Sequence, residues 1–132
     1  MPFSRIGHVA ITVSDLVVSK EWYGRVLGWS ALLDGDDAGV VFSVGALPGG
    51  VLIGLRQYAD GSGDRFDHRR TGLDHLAIEV GSAEELPEWE RRFAEQQVVY
   101  DPAQQTPFGH VLNFKDPDGI ALELSASSTD SS

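Results

Sequence analysis

The strongest constraint on how this chain folds is an internal repeat. When the sequence is shifted by 67 residues, the segment 7–13 (GHVAITV) aligns with 74–80 (DHLAIEV). The same shift aligns three further pairs: Glu21 with Glu88, Trp22 with Trp89, and Arg25 with Arg92. The alignment later slips by two residues, so that VLIGL (51–55) falls on IALEL (120–124). A repeat of this length indicates that each half is one supersecondary unit.

The first half has the pattern of one strand, one helix and three strands. Apolar residues alternate over 9–13, which predicts a strand with a single apolar face. Helical spacing follows over 16–27, with Ser14 or Asp15 as the N-cap and Gly28 as the stop. Asp/Gly and Pro-Gly-Gly turns separate three further predicted strands, at 29–34, 40–44 and 51–57.

The second half repeats this order. The pattern predicts a strand over 73–80 and a helix over about 83–96, which Ser82 and Glu85 open as a capping box. Pro87 fits that start poorly, so the helix is expected to begin one turn later. Three strands follow, near 98–100, 110–115 and 120–125, the last two joined by the Asp-Pro-Asp-Gly turn.

These elements define an α+β domain over residues 1–132 that is built from two tandem βαβββ units. The first unit is expected at 5–58 and the second at 73–125. The polar, glycine-bearing segment 59–72 is predicted to be the linker between them. The tail 126–132 lacks apolar anchors and is expected to be disordered.

Composition excludes several classes of function. Twenty acidic residues against ten basic ones give a formal charge of −10, which opposes binding to nucleic acid and anionic lipid. The chain has no cysteine, so disulfides and thiolate metal sites are excluded and a reducing cytoplasm is expected. The N-terminal apolar run is too short and too broken for a signal peptide or a membrane span, so a soluble protein is expected. The sequence contains no dinucleotide fingerprint, phosphate-binding glycine loop or nucleophile elbow.

Strand alternation places three potential metal ligands on faces that do not cover a helix. His8 and His75 occupy equivalent positions in the repeat, and Glu123 lies in the last strand. A small alanine stands two residues from each ligand, which leaves room for a bound molecule. Two imidazoles and one carboxylate suit Fe, Mn, Zn or Ni in the divalent state and leave positions open for substrate. The alternative is that the two histidines are structural.

The sequence resembles the vicinal oxygen chelate superfamily, which includes glyoxalase I, bleomycin-resistance proteins, fosfomycin-resistance enzymes and extradiol dioxygenases. The resemblance covers residues 5–125. It is carried by GHVAITVSDL and EWYGRVLGW in the first half, and by LDHLAIEV and FKDPDGIALEL in the second. It implies curved mixed sheets around a central cleft, helices on the outside, and one metal ligand from each first and last strand. His8, His75 and Glu123 match those ligand positions one by one.

At the fourth ligand position, this sequence departs from the pattern of the family. Glyoxalase I-like members carry Glu or Gln on the last strand of the first unit, and Gly54 stands at that place. A glycine offers no side-chain ligand, so the resemblance implies a three-ligand site. That arrangement is more similar to the extradiol dioxygenases and the fosfomycin-resistance enzymes.

Two further residues, His110 and Arg56, are candidates for a role near the cleft. His110 opens a strand after a Pro-Phe-Gly turn and is a candidate general acid or base, or else a surface histidine. Arg56 shares the face of Gly54 and is a candidate for holding a carboxylate or enolate, or else an arginine at a solvent-facing edge. His68, in the linker, is expected to be solvated.

Three functions remain open from the sequence. The first is a metal-dependent enzyme, dioxygenase-like or lyase- and isomerase-like, that acts on a small oxygen-bearing substrate. The second is a metal-free protein that binds a drug, such as a cationic aromatic antibiotic, and confers resistance. The third is a subunit or sensor with a relict site. Because each half-sheet has unpaired edges, a homodimer is expected, and a monomer in which the two halves pair is the alternative.

Overall fold

The computed structural model describes residues 1–127. The chain divides into two compact units, Met1–Asp64 (unit 1) and the chain from Arg65 onward (unit 2). Within the described residues each unit contains one mixed sheet and one α-helix. The predicted α+β class with two βαβββ units is therefore confirmed.

Unit 1 follows the predicted order of elements. Strand β1 (Val9–Thr12) leads into helix α1 (Leu16–Leu27). Three strands follow: β2 (Ser30–Asp37), β3 (Val40–Ala46) and β4 (Leu52–Tyr58). The strand order in the sheet is β1-β4-β3-β2, with β1 parallel to β4 and the other pairs antiparallel. The edges of this sheet are thus β1 and β2.

Local signals in the sequence set the ends of α1. The Asp15 side chain accepts a hydrogen bond from the Val18 N–H at 3.2 Å, so Asp15 is the N-cap. Gly28 ends the helix with a positive φ of 74°, a conformation that glycine adopts without strain. One face of the sheet packs against the helix. The buried core between them comprises Ile11, Val13, Tyr23, Val26, Ile53 and Leu55.

Unit 2 repeats the order with additions. Strand β5 (Leu76–Glu79) is followed by a 3-10 turn (Ala83–Glu85) and helix α2 (Leu86–Glu95). Four strands come next: β6 (Val99–Tyr100), β7 (Gln104–Thr106), β8 (Gly109–Lys115) and β9 (Ala121–Ser127). The sheet order is β5-β9-β8-β6, and β7 also pairs with β8. β5 runs parallel to β9, as β1 does to β4.

The hairpin between β8 and β9 closes on a buried carboxylate. Asp116 is 5% exposed, and its Oδ1 accepts 2.9 Å hydrogen bonds from the N–H groups of Asp118 and Ile120. These bonds fix the register in which Asn113 stands opposite Glu123. The helix-facing side of this sheet and helix α2 together form the core of unit 2. The sheet contributes Leu112, Phe114, Leu122 and Leu124, and the helix contributes Leu86 and Phe93.

The structure confirms the later start of α2, adds one strand and extends another. Helix α2 begins at Leu86, one turn after 83 as Pro87 indicates, which places Pro87 in the first turn, where its missing N–H costs no hydrogen bond. Strand β7 was not predicted. β9 continues through Ser127, so residues 126 and 127 belong to a strand, whereas 128–132 of the predicted tail lie outside the described residues.

None of the helices within residues 1–127 is both long and apolar enough to cross a membrane.

Candidate functional site

The two potential metal ligands of unit 2 lie on neighbouring strands. Glu123 is in β9, and His75 immediately precedes β5, whose Leu76 pairs with Leu122. Both residues alternate with side chains that cover α2, so they share the opposite face of the sheet. His75 Nε2 lies 3.9 Å from Glu123 Oε1. The structure therefore brings these two predicted residues together.

Asp74 holds the imidazole of His75 from its other nitrogen. Asp74 Oδ1 lies 2.7 Å from His75 Nδ1. Because an ionised carboxylate is a hydrogen-bond acceptor, this contact places a proton on Nδ1. In the neutral ring Nε2 then carries the free lone pair, and Nε2 is the atom that approaches Glu123. Metal-binding histidines have this arrangement, with a carboxylate behind the ring.

A cleft of about 360 Å³ opens on the same face of unit 2. His75 and Glu123 line it, and their side chains are 48% and 16% exposed. The floor continues onto β8 through Asn113 and Lys115, and Asp101 lies at the border. The cleft therefore has a mixed polar and apolar lining and holds groups of both charges.

The start of unit 2 brings one further histidine to the cleft. Arg65 Nη1 donates a 3.0 Å hydrogen bond to the Pro117 carbonyl, which ties this segment to the β8–β9 hairpin. The Arg69 side chain and backbone N–H both donate to Asp67 and lower the pKa of that carboxyl to about 2. His68 lies between them in sequence, is exposed as predicted, and also lines the cleft.

The donor set of unit 2 fits a divalent metal in part. One imidazole nitrogen and one carboxylate oxygen converge, and both atoms suit the metals predicted from the sequence. Within residues 1–127 no group of three His, Cys, Asp or Glu residues is gathered as a ready site. His8 belongs to unit 1, where it is exposed just before β1. Its part as a third ligand stays a prediction.

The open face of the sheet in unit 1 carries Gly54 and Arg56. A Cβ on Gly54 would meet its nearest neighbours, Ala10 and Val44, at 3.7–3.8 Å, so the backbone there has room for a side chain. The Arg56 guanidinium lies over the rings of Phe42 and Tyr58, with 5.3 Å and 5.7 Å to the ring centres. Arg56 Nε also donates to the Tyr58 hydroxyl at 3.1 Å. Arg56 is thus half-buried and held in place by aromatic contacts.

The structure does not place His110 on the face of Glu123. His110 pairs with Ala126, and β8 and β9 pair without a break from Gly109 to Lys115. His110 therefore lies on the opposite face of the sheet from Asn113, on the same side as the buried Leu112. Its Nδ1 is buried there without a hydrogen-bond partner among the described residues. The expected role as an acid or base in the cleft is thus not supported, because the strand turns the ring away.

The polar residues of the cleft that were not identified from the sequence include Asp74, Asp101, Asn113 and Lys115. Strand alternation would have placed Asn113 and Lys115 on the face of Glu123, once the pairing of β8 with β9 was known. Asp74 gave no comparable signal, because its contact with the adjacent His75 depends on side-chain rotation.

The sequence matches the Glyoxalase/Bleomycin resistance protein/Dioxygenase superfamily over residues 5–124. A solved glyoxylase/bleomycin resistance protein/dioxygenase domain from Frankia sp. EAN1pec is 41% identical, with a TM-score of 0.90. That similarity covers 96% of this chain and 99% of the Frankia chain. The Bacillus subtilis (strain 168) protein YwkD is 28% identical over 128 residues, which are 94% of this chain and 98% of YwkD.

A more distant structure shares the fold. It is a mutant of the fosfomycin resistance protein FosX from Listeria monocytogenes, complexed with Mn(II) and a dihydroxypropylphosphonic acid. Its TM-score is 0.73 at 18% identity, and the similarity covers 98% of this chain and 94% of that one. The family match spans nearly all of the chain and agrees with the duplicated βαβββ units. The chain belongs to the Glyoxalase/Bleomycin resistance protein/Dioxygenase superfamily.

Proposed function

We propose that this protein is a metal-dependent enzyme that acts on a small oxygen-bearing substrate. His75 and Glu123 hold a divalent metal, and His8 is the third ligand. The observation that carries the proposal is the 3.9 Å approach of His75 Nε2 to Glu123 Oε1 inside a cleft, with Asp74 fixing the other ring nitrogen. A carboxylate that fixes the second ring nitrogen is typical of histidines that bind a metal. A simple ion pair at the surface does not require it.

A bound divalent metal would supply Lewis-acid chemistry, since such an ion polarises the oxygens bound to it. The residues of the chain hold and orient the reacting groups. Asp74 keeps the proton on His75 Nδ1, and Glu123 contributes a negative charge that is mostly shielded from solvent. Fe, Mn, Zn and Ni all accept this donor set. The complex of FosX with Mn(II) makes manganese the first metal to test.

Arg56 is proposed to orient an anionic part of the substrate. Its side chain has no ion pair within the described residues, although the protein carries a net charge of −10. The aromatic contacts with Phe42 and Tyr58 hold the guanidinium in one place while its terminal nitrogens remain available for a carboxylate or enolate. No role in proton transfer is assigned to His110.

Equilibrium titration with Mn²⁺ tests the ligand set. We expect one strong site per chain in the wild type and its loss in His75→Ala, Glu123→Gln and His8→Ala. His68→Ala is the matched control, because His68 also lines the cleft but has no place in the ligand set. Circular dichroism checks that each variant is folded. Unchanged Mn²⁺ affinity in His75→Ala would refute the proposal.

A second candidate is metal-free binding of a cationic aromatic compound, as in drug-sequestering resistance proteins. The cleft favours it in one respect, because Asp74, Asp101 and Glu123 place three carboxylates in its lining. A fluorescence titration of metal-stripped protein with ethidium separates the two candidates. Tight binding that Glu123→Gln and Asp101→Asn weaken, in a protein that binds no Mn²⁺, would replace the enzyme proposal with this one.

A further inference from the structure

Two polar side chains continue the surface of the candidate metal site along β8. Asn113 stands opposite Glu123 in the ladder between β8 and β9, and Lys115 stands opposite Ala121. His75 lies beside Ala121 as well, since the next residue, Leu76, pairs with Leu122. His75, Ala121 and Lys115 therefore form one row across three strands on the face that lines the cleft. The small Ala121 leaves the space between the two larger side chains open.

The repeat shows that the fold does not require these polar residues. In unit 1, Val44 stands opposite Gly54, and Ala46 stands opposite Leu52. By register they are the counterparts of Asn113 and Lys115, because Gly54 pairs with Ala10 of β1 just as Glu123 pairs with Ala77 of β5. The same sheet is thus built with apolar residues at both places in unit 1. A lysine and an asparagine in unit 2 call for an explanation beyond folding.

Lys115 is also the residue of the cleft whose positive charge has no partner. Its side chain makes no hydrogen bond or ion pair within residues 1–127, whereas Lys20 on unit 1 pairs with Asp34 at 2.9 Å. Three carboxylates line the cleft as well. Glu123 is assigned to the metal and Asp74 is bonded to His75, which leaves Asp101 to offset Lys115 from a distance. A bound divalent ion would add two positive charges and make the filled site attractive to an anion.

We propose that Lys115 and Asn113 form an anion subsite, so that the substrate is a small acid with two anionic groups. One end of the substrate presents neighbouring oxygens to the metal, and the other end carries a carboxylate that binds the Lys115 ammonium. This inference rests on the proposed metal function. The row geometry sets the length of the ligand, because two strand spacings separate His75 from Lys115 by about 10 Å between Cα atoms. The flexible four-carbon stem of Lys115 lets its ammonium approach the distal carboxylate of a ligand of this length.

A pair of 2-oxo acids isolates the contribution of the distal anion. Both 2-oxoglutarate and 2-oxopentanoate present a keto oxygen beside a carboxylate to a metal, but 2-oxoglutarate alone carries a second carboxylate. Calorimetric titration of the Mn²⁺-loaded full chain should show about fivefold tighter binding of 2-oxoglutarate, the scale of one partly exposed charge-assisted contact. Lys115→Met should remove this preference and leave the affinity for 2-oxopentanoate and for Mn²⁺ unchanged. Lys115→Arg should keep most of the preference, and Lys20→Met, the matched control, should keep all of it.

The outcomes separate this inference from the proposed function. Wild-type protein that binds Mn²⁺ but both acids equally, or a preference that persists in Lys115→Met, would overturn the anion subsite and leave the metal site standing. If the protein binds no Mn²⁺, the metal proposal fails, and the titrations of metal-free protein still decide on Lys115. A preference for 2-oxoglutarate that depends on Lys115 would then support the subsite by itself. If the metal-free protein shows no such preference, both the metal proposal and the anion subsite are overturned.

Discussion

At the scale of single residues, the hydrogen bond from His75 to Asp74 decides which nitrogen can bind a metal. The bond is 2.7 Å long, and Asp74 itself is largely exposed, so little of the fold depends on it. Without the carboxylate the ring is free to rotate and to place its proton on either nitrogen. Asp74 is therefore a positioning residue that acts through His75.

We predict that Asp74→Ala weakens Mn²⁺ binding by about 10- to 100-fold, the usual effect of losing a carboxylate behind a ligating histidine. Thermal stability should stay close to that of the wild type. Competition with a chelator of known affinity measures the change. Asp101→Ala is the control, since Asp101 borders the same cleft and its backbone, not its side chain, bonds to Asn113. Equal affinities in the two variants would show that Asp74 does not hold the ring.

Some residues of the site could be predicted from the sequence and others could not. Alternation along each strand was enough to put His75 and Glu123 on one face, because the apolar residues that cover α2 mark the other. The side on which His110 lies follows from alternation in β8, because the buried residues Leu112 and Phe114 mark the helix-facing side. The contact of Asp74 depends on a side-chain rotamer, which carries no periodic signal.

At the scale of elements, close packing around strand β3 leaves no room for a side chain at Gly45. A Cβ on Gly45 would lie 2.5 Å from the indole ring of Trp29 and would overlap the Ser30 carbonyl oxygen. The Trp29 side chain is held in its position, because it is 5% exposed and its Nε1 donates a 3.0 Å hydrogen bond to the Ile53 carbonyl. Gly54, on the neighbouring strand β4, has no such contact.

We predict that Gly45→Ala destabilises the protein by roughly 1–3 kcal/mol through overpacking. Gly54→Ala should be neutral or slightly stabilising, since alanine is favoured over glycine inside a strand. Urea denaturation followed by tryptophan fluorescence compares the two variants. Similar midpoints for both would mean that the packing of β3 against Trp29 is looser than described.

Helices and strands could be predicted from the sequence where local signals, such as caps and apolar alternation, are strong. Asp15 and Gly28 mark the ends of α1, and a capping sequence with Pro87 marks the start of α2, so both helices were located to within a turn. β7 was missed because its three residues, Gln104–Thr106, are mostly exposed and show no apolar alternation. β9 was ended too early because the last residues of the strand are small and polar in sequence.

At the scale of the whole molecule, the repeat yields two sheets with unpaired edge strands. In unit 1 the edge strand β2 is almost entirely exposed, and Leu32 and Leu33 are 68% and 61% exposed. Uncovered edges with apolar side chains promote association between chains. We therefore propose a homodimer, as expected from the sequence.

Light scattering coupled to size exclusion should give twice the chain mass of 14.3 kDa. Moderate salt should favour the dimer, because each chain brings a charge of −10 that salt screens. A mass of one chain at all tested concentrations and salt levels would contradict the proposal.

The central claim is that His75 and Glu123, with His8, hold a metal. The most direct test is the metal content, by mass spectrometry, of protein purified without chelators or an affinity tag, beside the His8→Ala/His75→Ala double variant. We predict close to one equivalent of Fe, Mn, Zn or Ni per chain in the wild type and almost none in the folded double variant. Equal metal content in the two proteins, or none in either after reconstitution, would contradict the account.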